Sequence, residues 1–112
     1  MSFPAAANLV DPQAVEALFG GMDPDTRNLL LDAAAADATE WTERLVQAWQ
    51  DGDVNDQSKA RHSLKGICGN FGMACLFERC VGDLAVSAAA QDLRDCRDAS
   101  LAALRVAVSR FP

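Results

Sequence analysis

Winding the chain at roughly 100° per residue separates apolar from polar positions over most of its length, which predicts helices throughout. Asp11-Pro12 reads as an N-cap followed by proline at the first helical position, opening a short helix to Phe19 that Gly20-Gly21 ends. Its apolar residues Val15, Leu18 and Phe19 are expected to lid one end of a bundle. Asp23-Pro24 repeats the start signal. The segment up to Gln50 then places Leu30, Leu31, Ala34, Ala38, Trp41, Leu45, Ala48 and Trp49 on one stripe, as a single helix or as two with a kink near Asp37. Asp51-Gly52-Asp53 stops it. A third helix is expected from Val54 to Asn70, broken by Gly72, and a fourth is lined by Met73, Leu76, Phe77, Cys80, Leu84 and Ala88. The last, from Gln91 to Arg110, carries Leu93, Cys96, Ala103, Leu104, Ala107 and Val108 inward. The predicted architecture is all-α: an antiparallel four-helix bundle with a short additional N-terminal helix. Residues 1–10 are expected to be a flexible lead, and 11–112 the bundle.

Composition narrows the possibilities. A chain of 112 residues, half of them hydrophobic and none tyrosine, has room for one core but not for a separate nucleotide-binding module. The formal net charge of −6 argues against nucleic acid as a partner, because binding phosphate backbones needs a basic patch. Neither a signal peptide nor a membrane-spanning stretch is legible, so a cytoplasmic location is expected. There is no phosphate-binding glycine loop of the nucleotide-binding kind and no acidic triplet for Mg²⁺, so phosphate transfer from ATP by this chain alone is not expected.

Candidate chemistry concentrates at Arg61-His62-Ser63-Leu64-Lys65-Gly66-Ile67-Cys68-Gly69-Asn70-Phe71-Gly72, which holds the only histidine. Gln57, Ala60, Leu64, Ile67, Cys68 and Phe71 make the apolar stripe, and His62 lies roughly 160° from its centre. Gly66 and Gly69 share the outer side with His62, and Lys65 flanks them. Two glycines inside a helix cost about 1 kcal/mol each relative to alanine, and here both lie where another protein could approach the imidazole. Lys59, Arg61 and Lys65 make a locally basic patch on an acidic body. A lone exposed histidine is most often a solvated surface residue, and a charge run most often a solvated face.

His62-Ser63-Leu64-Lys65-Gly66, followed by Phe71-Gly72 and an apolar helix, resembles the signature of histidine-containing phosphotransfer (HPt) domains, including the related first domain of chemotaxis histidine kinases. The resemblance implies that His62 is the phosphoacceptor, at Nε2, that Lys65 assists the phosphoryl group, and that Gly66 admits a receiver domain. Gly72 matches the glycine that ends the active helix. Gly69, Arg61 and Lys59 are expected on the partner surface. The implied partners are response-regulator receiver domains and a hybrid histidine kinase. No cofactor is expected on this chain, Mg²⁺ belonging to the receiver, and a monomer suffices. Ile67 and Ala85 depart from the family's pattern, where a small or hydroxyl residue and a glutamate are common.

Three functions follow from different classes: a phosphorelay intermediate between receivers, the phosphoacceptor domain of a chemotaxis-type kinase, and a helical adaptor in which His62 is incidental. The four cysteines form no C-x-x-C pair. Cys68, Cys80 and Cys96 are predicted to be reduced core residues, whereas Cys75 is predicted to project outward as a candidate reactive thiol. A zinc site joining His62 to Cys68 is disfavoured, since the two point roughly 120° apart.

Overall fold

The structure is a computed structural model that describes residues 9–80 and 87–112, with side chains for all of these except 87 and 88. Every regular element among them is an α-helix: α1 (Pro12–Phe19), α2 (Pro24–Gln50), α3 (Val54–Phe71), α4 (Ala74–Cys80) and α5 (Ser87–Ser109).

The helix starts follow local chemistry. Asp11 Oδ1 accepts from the Gln13 N–H at 3.0 Å, and Asp53 Oδ1 accepts from the Asp56 N–H at 3.0 Å, each satisfying an amide that has no partner within its helix. Asp23, ahead of Pro24, accepts instead from the Thr26 hydroxyl, which holds its carboxyl below the ordinary value. The long second segment is a single helix through Asp37, resolving the alternative the sequence leaves open. Helix α5 is already helical at Ser87, ahead of the expected Gln91, so Ala88, expected on the fourth helix, belongs to the fifth. Leu84 and Ala85 lie outside the described residues.

Helix α2 packs against α3 and α5, α4 packs against the same two helices, and α1 lies across α3 and α5. The core is built from Leu31, Ala34, Ala38, Leu45 and Val46 of α2, Leu64 and Cys68 of α3, Leu76 of α4, and Leu93, Cys96 and Leu104 of α5. Burying one such leucine removes enough apolar surface that truncation to alanine costs about 2–5 kcal/mol. Leu9 and Val10, placed in the lead by the sequence reading, are buried in this same core.

Arg27 was also not legible as a core residue. Arg27 is only 6% exposed, and its guanidinium donates to the carbonyls of Phe19 (3.0 Å) and Gly20 (3.3 Å) and to a main-chain oxygen of Pro112 (3.0 Å) while lying over the Phe111 ring. A buried cation is tolerated only when its donors are satisfied, and here three helix-end or terminal main-chain oxygens do so. Across the surface, Glu43 of α2 receives a two-pronged contact from Arg94 and a third bond from Arg97, and Asp32 pairs with Arg105. Arg79 of α4 pairs with Asp92 of α5.

Candidate functional site

Helix α3 divides into two faces. Ala60, Leu64 and Cys68, spaced by four residues, are buried against the other helices, with Ile67 and Phe71 half-buried beside them. That anchoring turns His62, Gly66 and Gly69 outward, and all three are exposed.

His62 lines an open depression together with Val54, Gln57, Ser58, Arg61 and Lys65, all contributed by α3 itself. Helix α4 braces the two cations. Arg61 Nε donates to the Cys80 carbonyl at 3.1 Å, and Lys65 Nζ lies 5.6 Å from the centroid of the Phe77 ring. Such an ammonium–ring contact contributes about 0.5–1 kcal/mol at an exposed site, little enough to release the side chain for another partner. Phe77 was expected on the inward stripe of the fourth helix, but it is 38% exposed. Met73, Leu76 and Cys80 of that stripe are buried, so Phe77 lies at its outer edge, and its role as the seat of Lys65 was not legible from spacing within α3.

Lys59 does not join this group. It lines a separate depression between α2 and α3 with Trp41, Arg44, Gln47, Asp51 and Asp56. Gly69 opens onto a third, shared with Ala14, Phe77 and Glu78.

The glycines differ in what holds them in place. Gly72 caps α3 with φ +70°, a conformation that carries a side chain only under strain, and its N–H bonds to Cys68 O. A Cβ there would also lie 3.0 Å from Ala14 Cβ and 3.2 Å from Asp11 O, while Gly72 O accepts from the Asp11 N–H at 2.7 Å. Gly72 therefore seats α1 on the end of the histidine helix. At Gly66 and Gly69, by contrast, a Cβ would meet nothing within 4 Å among the described residues. Neither packing nor backbone conformation requires glycine at those two positions.

The cysteine expectation needs one correction. Cys68, Cys80 and Cys96 are buried as anticipated, but Cys75 is buried too, because α4 is wedged between α3 and α5 and its Cys75 side meets α5. The Cys75 and Cys96 sulfurs are 3.4 Å apart, and Cys68 hydrogen-bonds Cys80. The hydrogen bond with Cys80 and burial push the Cys68 thiol upward. The same bond, with the Lys65 and Arg61 cations nearby, lowers Cys80.

Chemically, the arrangement offers one accessible imidazole, an ammonium one turn on, and open backbone on the same face. Among the described residues no group of three or more His, Cys, Asp or Glu is placed to hold a metal ion, and no helix is long and apolar enough to cross a membrane. No family model matches the chain, and no curated protein or solved structure matches it.

Proposed function

We propose that this chain is a histidine phosphotransfer domain that accepts a phosphoryl group on His62 from the aspartyl phosphate of a receiver domain and passes it to another receiver. The observation that carries the reading is the bare outer face of α3: an exposed histidine followed at +4 and +7 by exposed glycines that no described residue packs against. Helix-interior glycine is destabilising, so a face that keeps two of them beside the only imidazole is suited to close contact with another molecule.

The proposed frame is an antiparallel four-helix bundle, with α1 laid across it. Asp32 pairs with Arg105 and Glu43 with Arg94, so position rises along α2 as it falls along α5, which supports opposed directions. Only residues 51–53 separate α2 from α3, a connection short enough for antiparallel neighbours.

In the proposed transfer, the lone pair of His62 Nε2 attacks phosphorus in line with the aspartyl oxygen. The P–O bond breaks, the carboxylate leaves with the electron pair, and the Nδ1 proton is lost from the phosphorylated ring to solvent. Lys65 swings from Phe77 to the phosphoryl oxygens and offsets part of their charge. Arg61, tied to the end of α4, keeps a second positive group on the same wall. The receiver supplies the Mg²⁺. Donation to the next receiver is the same step reversed.

The test is to incubate the protein with a phosphorylated receiver and, separately, with a histidine-kinase catalytic domain and ATP. Acid-labile label on His62 from the receiver is expected, with His62→Gln unlabelled yet fully helical by circular dichroism, because an outward side chain contributes little packing. Label from the kinase domain alone would assign the chain to the chemotaxis-type class instead. Label from neither, while an established transfer domain is labelled, would leave a helical adaptor.

A further inference from the structure

The four thiols form two pairs inside the molecule, and one pair reaches the edge of the surface. Cys75 on α4 and Cys96 on α5 face each other with sulfurs 3.4 Å apart. Cys75 retains 8% exposure and Cys96 none, whereas Cys68 and Cys80 are both sealed at 1% or less. The Arg79–Asp92 ion pair joins the same two helices, so their backbones are already held together beside the sulfurs. Burial, with the hydrogen bond to Cys75, pushes the Cys96 thiol up to about 12, an effect the nearby Arg79 guanidinium only partly offsets. The more accessible Cys75 is thus the group that meets an oxidant first.

We propose that Cys75 and Cys96 are a peroxide-responsive pair whose oxidation forms an intrachain disulfide stapling α4 to α5. The Cys75 sulfur attacks hydrogen peroxide, the O–O bond breaks, and Cys75 becomes a sulfenic acid with release of one water. The Cys96 sulfur then displaces the hydroxyl from Cys75, forming the S–S bond, and the Cys96 proton leaves with that hydroxyl as a second water. Two electrons pass from the two thiols to one peroxide. The sulfurs, 3.4 Å apart, already lie close to the covalent separation of about 2 Å. This inference stands on the sulfur geometry and is independent of what His62 does.

The experiment treats the full chain with hydrogen peroxide, blocks the remaining thiols, and digests with trypsin without reductant. The expected product joins peptide 66–79 to peptide 95–97, with fragment ions placing the bond at Cys75 rather than Cys68, and dithiothreitol releases it. Cys75→Ala is expected to lose this product completely while Cys68 and Cys80 stay alkylatable. The proposal is overturned if 66–79 is joined to 80–94 instead, or if the bond links two chains. It is equally overturned if Cys75 and Cys96 remain free through an exposure that converts Met22 to its sulfoxide. Because the wild-type digest alone locates the bond, a variant that fails to fold does not obscure the result.

Discussion

Gly66 and Gly69 set stability against contact at the level of single atoms. With no described residue within 4 Å of either Cβ position, replacing each by alanine should stabilise the fold by roughly 0.5–1 kcal/mol, since the backbone is helical and the unfolded chain loses freedom. If the outer face of α3 docks a receiver, the same substitutions should slow phosphoryl transfer at least several-fold. Urea denaturation and a transfer time course on one pair of samples measure both. A stabilised variant that transfers at the original rate would remove the argument for close approach. His62 and Lys65 were legible from the sequence as an outward pair, because a wheel position depends only on spacing within one helix. The Phe77 ring under Lys65 was not, because it comes from the next element, whose rotation is set by the turn between them.

Between elements, the junction of α1, α3 and α4 depends on Gly72. Gly72→Ala should cost about 2 kcal/mol, adding the strain of a side chain at φ +70° to contacts at 3.0 and 3.2 Å with Ala14 and Asp11. The loss should appear as a lowered denaturation midpoint, with proteolysis entering near Asp11 before α2. Helix starts at Pro12 and Pro24 were readable from their Asp-Pro signals, and the end at Gly72 from glycine itself, whereas Asp53, read only as part of a stop, also caps α3. The start of α5 was expected too late because Ser87 to Ala90 carry no capping signal strong enough to mark a helix. Cys75 was assigned outward because a wheel reports the face of one helix against one neighbour, and α4 has two.

At the scale of the molecule, the α2–α5 seam is held partly by charge. Arg94 and Arg97 hold the Glu43 carboxyl below the ordinary carboxylate range, the hydrogen bonds from Arg94 first among the causes. A depressed carboxylate stabilises the fold above its unfolded value, and the contribution disappears as pH falls through the folded one. With a side chain 45% exposed, solvent screens much of the interaction, so Glu43→Gln should cost about 0.5–1 kcal/mol at pH 7. That difference from the unaltered protein should shrink toward zero as the pH drops below about 4. Urea midpoints for both proteins between pH 3 and 7 check it; a gap that stays constant would mean the effect is packing alone. The all-helical character was visible in the spacing of apolar residues, whereas buried Arg27 and Thr42 were not, since polar residues on an apolar stripe look like interruptions.

Arg27 gives the molecule a rivet that acid weakens little. Two of its three acceptors, the Phe19 and Gly20 carbonyls, are peptide oxygens, which gain no proton when carboxylates do, so the corner where α1 and the start of α2 converge keeps those bonds after the Glu43 clasp has let go. Souring the solution should therefore loosen the α2–α5 seam around Glu43 first, with that corner parting later.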